Sequence, residues 1–268
     1  MGEENPGPAF YFERDGEAFV PSRLTLSPWN RNAIAGGSTA GLLGAIIDEA
    51  GFDPAFEPCR FTLDILGIVP AVPLVSRVTA LRMGRQMQLH RIELLADGLA
   101  VAQAHLVLAR HLETPRFLPA SAYPPPDGLE EQPFPGSRRT GGIVRTKPVI
   151  GGARTPGRGV VWLAMEGQVI RGAEASPFAK ACLFGDFGNG MGSVTRPEEW
   201  SFANLDITLN FLRRPRGHWF LIDAETEMAG NGHGLARSIF ADADGIYAHG
   251  SQTVFVAPGG GNIPVAGA

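Results

Sequence analysis

A helical period appears first. In IAGGSTAGLLGAIIDEAG (34–51), Leu42, Leu43, Ile46, Ile47 and Ala50 recur at three- and four-residue intervals. Ser38 or Thr39 is expected to cap this helix and Gly51 to stop it, whereas Gly41 and Gly44 weaken it unless a sheet packs closely against it. The pattern then turns extended in CRFTLDIL (59–66), PLVSRVTALRM (73–83), QMQLHRIELLA (86–96) and LAVAQAHLVLA (99–109). Asp97-Gly98, between the last two, is a two-residue hairpin signal. One helix and an antiparallel meander are therefore predicted for the first half.

The second half repeats that order. GVVWLAM (159–165) reads as a strand, and SPFAKACLFGDFG (176–188) as a helix with Ser176 as cap, Pro177 in the first turn and Gly185 or Gly188 at its end. Strands are expected at 204–212, 218–227, 235–241 and 246–256, with Asp244-Gly245 as the second hairpin turn. FTLDIL (61–66) lies 146 positions before ITLNFL (207–212), and the same offset carries Gly84 onto Gly230 and Leu89 onto Leu235. The common order points to an internal duplication. Between the halves, seven prolines from Pro115 to Pro135 interrupt sequence with neither period, which predicts a semi-rigid connection. The expected organisation is a first repeat over 1–112, a linker over 113–140, a second repeat over 141–257 and a flexible tail over 258–268.

Composition narrows the function classes. The chain has 268 residues, 44% hydrophobic and 19% charged, enough to bury a large core. Its net charge of -4 and the lack of any basic patch argue against a nucleic-acid partner. No apolar run is long enough to span a membrane, and the first residues carry no secretory signature, so a cytoplasmic location is expected. Cys59 and Cys182, far apart and each within an apolar element, read as buried free thiols. Six scattered histidines make no metal-ligand spacing, and no metal is expected.

Two helix-plus-meander units joined by a proline-rich crossing resemble the double hotdog arrangement, an α+β fold of two curved antiparallel sheets, each packed on a central helix and joined side by side. IAGGSTAGLLGAII, FTLDILG with VSRVTALRMGRQ, LDITLNFLRRPRGHWFLIDAETEMAG and DGIYAHGSQTVFV are similar to segments of the acyl-CoA thioesterase II family. The resemblance implies hydrolysis of an acyl-CoA thioester at a site built from the second half, with no cofactor beyond the substrate's own coenzyme A. It implies an acid at Asp206 and a glutamine at Gln252, with Thr226 filling the hydroxyl position or Asn231 replacing it. A homodimer is a further expectation.

In LDITLNF, Asp206, Thr208 and Asn210 alternate with Ile207, Leu209 and Phe211, which sets the acid on the face away from the main apolar row. As a pocket residue it would activate water, or attack the thioester directly, with Gln252 orienting the water. Helix starts at Gly36-Gly37 and Ser176 offer backbone donors for an oxyanion. Phe178 is a candidate for lining an acyl pocket, and Arg213 and Arg214 for pairing with phosphates. Glycine strings at 186–193 and 229–236 lack the strand–turn–helix context of a dinucleotide loop, and GGSTAG (36–41) is not a nucleophile elbow. A non-catalytic acyl-CoA binder and, less favoured, a hotdog hydratase are the alternative readings.

Overall fold

The computed structural model describes residues 7–28, 30–118, 123–134, 143–153, 155–196 and 198–259. Strands β1 to β6 are Phe10–Asp15, Ala18–Pro21, Phe56–Ile65, Leu74–Met83, Met87–Ala96 and Leu99–Arg110, with helix α1 (Gly36–Glu49) before β3. The rest are β7 (Gln132–Pro133), β8 (Val144–Gly152), β9 (Thr155–Met165), β10 (Gln168–Ile170), α2 (Pro177–Gly185), α3 (Gly188–Gly192), β11 (Trp200–Asn204), β12 (Asp206–Phe211), β13 (Phe220–Met228), β14 (His233–Asp242) and β15 (Gly245–Pro258). The tail expected at 258–268 lies outside the described residues from 260 onward, as do 119–122 and 135–142 of the expected linker.

The strands form one sheet in which β4-β5-β6-β3 from the first half meets β12-β15-β14-β13 from the second, edge to edge. The seam carries the mark of the duplication. Thr62 faces Thr208, Phe61 faces Leu209 and Leu63 faces Ile207, so the 146-residue offset maps this register onto itself, as a pseudo-twofold interface requires. Away from the seam the rows agree too: Ala80–His90–Leu106 in the first half superposes by the same offset on Thr226–Ala236–Gln252. The tandem hotdog architecture is thus present, with the first hairpin turning on Asp97-Gly98 as expected and the second on Ala243-Asp244, one residue earlier than expected, because Gly245 already opens β15 opposite Asp242. Asp97 (φ 49°) and Gly98 (φ 80°) supply the left-handed pair that a tight hairpin needs. The pattern did not announce β1, β2, β7, β8, β10 or β11, and the strand expected at 204–212 starts at Asp206 after a break at Leu205.

The two long helices lie against each other inside the sheet's curve, within one continuous core. A side chain at Gly44 would come within 2.8 Å of the Ala179 Cα, and one at Gly41 within 3.1 Å of Leu183. These glycines therefore admit helix α2, not the sheet expected from the sequence. Gly44→Ala is expected to destabilise the fold by about 1–3 kcal/mol, because backbone rather than a mobile side chain blocks the methyl; a urea midpoint shift measures it. The capping expectation is also corrected. Helix α1 starts at Gly36 after Ala35, whose side chain caps nothing, while Ser38 and Thr39 lie inside it. In α2, Ser176 accepts the Ala179 N–H at 3.0 Å as expected.

The proline segment is fastened to the second-half sheet. Pro124 accepts the Trp162 indole N–H, Pro126 accepts from Lys147, and Tyr123 donates to Asp223 at 2.7 Å. Cys182 is buried and Cys59 only half-buried, both as free thiols. Among the described residues, no helix is long and apolar enough to cross a membrane.

Candidate active site

A carboxylate at the end of α2 is aimed at the start of α1. Asp186 is the C-cap of α2, where a negative charge opposes that helix's own dipole. It reaches instead to the first turn of α1, where the Gly37 N–H donates to it. A side chain at Gly36 would collide with the Asp186 Oδ1, so the two glycines leave the space that the acid fills. Asn204, the last residue of β11, donates its amide both to Oδ1 at 2.7 Å and to the Asp186 carbonyl at 3.0 Å. Two acceptors on one side fix the orientation of the Asn204 amide. Its Oδ1 is consequently turned away, and it is buried without a partner.

Burial pushes the Asp186 carboxyl above the usual carboxylate range, against the opposing pull of the Asn204 and Gly37 donors. The residue keeps a little solvent contact, yet protein surrounds the carboxyl on nearly every side, and desolvation prevails. A carboxylate held in that state is a stronger base than a surface one.

Gln252 belongs to the same face. Asn204 pairs with Val254 across β11 and β15, and Gln252 precedes Val254 by two residues, so the Asn204 and Gln252 side chains are diagonal neighbours about 7–8 Å apart at the backbone. Gln252 is 2% exposed; its Oε1 accepts the Asn189 N–H at 2.8 Å, which leaves Nε2 buried and unpartnered. Thr226, 4% exposed, donates to the Asn189 Oδ1 at 3.0 Å. The structure therefore brings Gln252 and Thr226 together through Asn189, a residue that sequence reasoning passed over inside the glycine string 186–193. Nearby, Ala236, Val254 and Val256, with Phe202 and Met228 packed against them, form a small apolar cluster distinct from the main core.

Asp206 is elsewhere. Its Oδ1 accepts the Thr253 N–H, and it stands opposite Asp64 on the outer face of the seam, while its neighbours Ile207 and Leu209 point into the core with Gln252. The main chain breaks from β11 to β12 at Leu205, and Asp206 satisfies the Thr253 N–H that the break would leave open. Asn231 is exposed in the β13–β14 turn and lines an open depression with His233, Leu235 and Thr253, also away from Gln252.

Of the remaining candidates, Gly36 and Gly37 border Asp186, as described. Ser176 donates to the Asp48 carboxylate at the opposite end of the helix pair, and Phe178 is buried against Phe211 with ring centroids 5.3 Å apart. The arginines are already engaged. Arg213 grips Asp242 through both oxygens, one at 2.8 Å, and Arg214 pairs with Glu57 of β3. Asp242 is itself buried, so Arg213 neutralises an interior charge and ties down the β14–β15 turn instead of offering itself to a phosphate.

The first half has no matching site. Leu106 stands in the position of Gln252 and Ala80 in that of Thr226, while His90, at the position of Ala236, bonds Gln88 and packs against Phe52 at 4.3 Å. Apolar and aromatic groups fill the row that is polar in the second half. Among the described residues no cluster of His, Cys, Asp or Glu could hold a metal ion.

Comparison with known proteins places this chain in a family. Residues 113–256 match the model of the acyl-CoA thioesterase C-terminal domain, and residues 25–109 that of the acyl-CoA thioesterase N-terminal domain. No curated protein matches the chain in sequence. Among solved structures, the chain is similar to a conserved protein of unknown function with hot dog fold from Alicyclobacillus acidocaldarius, at TM-score 0.72 and 18% identity over 92% of this chain and 95% of that one. It is also similar to the acyl-CoA thioesterase II TesB2 from Mycobacterium marinum, at TM-score 0.65 and 18% identity over 88% and 97% of the two chains. At such identity these likenesses speak for the shared fold.

Proposed function

Since the chain belongs to the acyl-CoA thioesterase family, we propose that it hydrolyses an acyl-CoA thioester with Asp186 as the base, Asn204 as its positioning partner and Gln252 as the group that holds the attacking water. What carries this reading is one observation. A desolvated carboxylate adjoins a buried free acceptor, Asn204 Oδ1, with a buried free donor, Gln252 Nε2, on the same face of the sheet one diagonal step away.

The arrangement suits a water that donates one proton to Asp186 and the other to Asn204 Oδ1 while accepting from Gln252 Nε2. All three partners are fixed beforehand by the fold, so little order must be found during reaction. Asp186 takes the proton as the water oxygen bonds to the thioester carbon, and the carbonyl electrons move onto oxygen. When the tetrahedral adduct collapses, the carbon–sulfur bond breaks and the proton on Asp186 passes to the departing thiolate. The products are a free acid and the thiol of coenzyme A, and Asp186 ends ionised as it began.

The start of α1 supports the base in a second way. Its N-terminal dipole favours the ionised form of Asp186, against the desolvation that favours the neutral one. Water attack is preferred to a mixed anhydride because Asn204 holds the Asp186 Oδ1 and the Gly37 N–H also donates to the carboxyl, which ties the carboxylate down against the swing that direct attack needs. The test is thiol release from a panel of acyl-CoA esters of increasing length. Turnover of any member supports the reading, and tight binding without turnover would replace it with the non-catalytic binder.

A further inference from the structure

We propose that Asn189 is a catalytic residue of this site, its side-chain Nδ2 donating to the thioester carbonyl oxygen as that oxygen becomes an oxyanion. The inference rests on the hydrolytic reading above and adds the group that reading lacks, a donor for the developing charge.

Asn189 is fully buried, yet its Nδ2 has no partner, which is costly for a donor unless a ligand or water meets it. Its own other polar groups are engaged in a way that leaves this one free. Its backbone N–H is given to the Gln252 Oε1 at 2.8 Å, and its Oδ1 receives the Thr226 hydroxyl at 3.0 Å. The first contact turns Gln252 so that Nε2 is free, and the second does the same for the Asn189 amide. Two side-chain NH₂ groups are thus held unpartnered by one three-residue network, and no charge sits on either to compete with Asp186.

The surroundings permit nothing larger. A methyl at Gly188 would lie 2.5 Å from the Gln252 Oε1 and 2.6 Å from the Ser238 Oγ, so the preceding residue must be glycine for the network to close. The first half, where Leu106 and Ala80 replace Gln252 and Thr226, keeps no such donors. With Gln252 assigned to the water, Asn189 is the free donor that remains for the carbonyl oxygen. As the water oxygen bonds to carbon, the charge that accumulates on that oxygen meets a preset N–H, and collapse returns the electrons to the carbonyl as the thiolate leaves.

The test uses the full-length protein and kcat and KM for thiol release from the best acyl-CoA of the panel. Asn189→Ala is expected to lower kcat on the order of 100-fold with KM changed less than about threefold, as loss of a donor used only in the transition state requires. Thr226→Val, which keeps the shape and removes only the hydroxyl that orients Asn189, is expected to lower kcat about tenfold, and to add nothing further in the Asn189→Ala background. Full activity in Asn189→Ala, or losses that simply multiply in the double variant, would overturn the proposal. Should Asn189→Ala fail to fold, Thr226→Val decides alone: a fall in kcat at constant KM supports the role, and an unchanged kcat refutes it. If the wild-type protein releases no thiol, the hydrolytic reading and this one fall together; if it does and Asp186→Asn abolishes turnover while Asn189→Ala does not, only this one is lost.

Discussion

Asp186→Asn is expected to lower kcat/KM for acyl-CoA hydrolysis by about 10³-fold, the usual scale for removing a general base, with the fold intact. Asparagine fits the same space and can still accept the Asn204 amide, while it can take no proton from the water. The pH profile supplies a second readout. Because burial raises the Asp186 carboxyl, the base becomes protonated as pH falls through a value above the ordinary carboxylate range, and turnover should fall there with it. That acid limb should be missing from whatever activity Asp186→Asn retains. Linkage adds an opposite sign for stability: a raised carboxyl favours the fold most below its unfolded pKa, and this contribution is lost as pH rises through the folded one. Activity and this contribution to stability therefore move in contrary directions with pH, measurable by pairing rate profiles with urea midpoints.

Gly188→Ala is expected to lower kcat about 100-fold while moving the urea midpoint little. The methyl would meet the ends of two side chains, Gln252 and Ser238, which can swing aside at modest cost to stability. The cost to function is larger, since Gln252 would carry its free amide out of line with the water, and displacements near 1 Å are enough for losses of this size. A loss of stability without a loss of rate would mean that Gln252 only packs. The same logic separates Gly188 from Gly44, where backbone blocks the methyl and the fold itself must yield.

The duplication was legible because it rests on local chemistry repeated in order. Asp97-Gly98 dictates a hairpin on its own, Asp244-Gly245 marks the other to within one residue, and the 146-residue offset reappears as the Thr62–Thr208 register at the seam. Gln252 and Thr226 could be named from the resemblance, although not the residue that joins them. Alternation also set Asp206 apart from Ile207 and Leu209 correctly, but strand parity cannot say which face of a sheet a site will use. That depends on where the helices settle.

Asp186, the proposed base, escaped the sequence pattern for the same reason. In SPFAKACLFGDFG it reads as an ordinary residue at the end of a helix, and only the arrival of Gly36 and Gly37 from 150 residues away turns it into an enclosed base. One signal was present: an acid at a helix C-terminus is electrostatically misplaced, which suggests a partner elsewhere. Arg213 and Arg214 show the converse. Their basic look in FLRRPRG gave way to ion pairs once Asp242 and Glu57 came within reach through strand pairing that no local pattern encodes, with Arg213 half-buried and Arg214 still exposed.

The central claim, that the acid of this site is Asp186 on the inner face and not Asp206 on the outer one, is tested most directly by kcat/KM for thiol release in Asp186→Asn and Asp206→Asn measured side by side. Asp206→Asn keeps an oxygen to accept the Thr253 N–H and should stay within about threefold of wild type, while Asp186→Asn should fall by about 10³-fold. An active Asp186→Asn beside an inactive, folded Asp206→Asn would contradict the account.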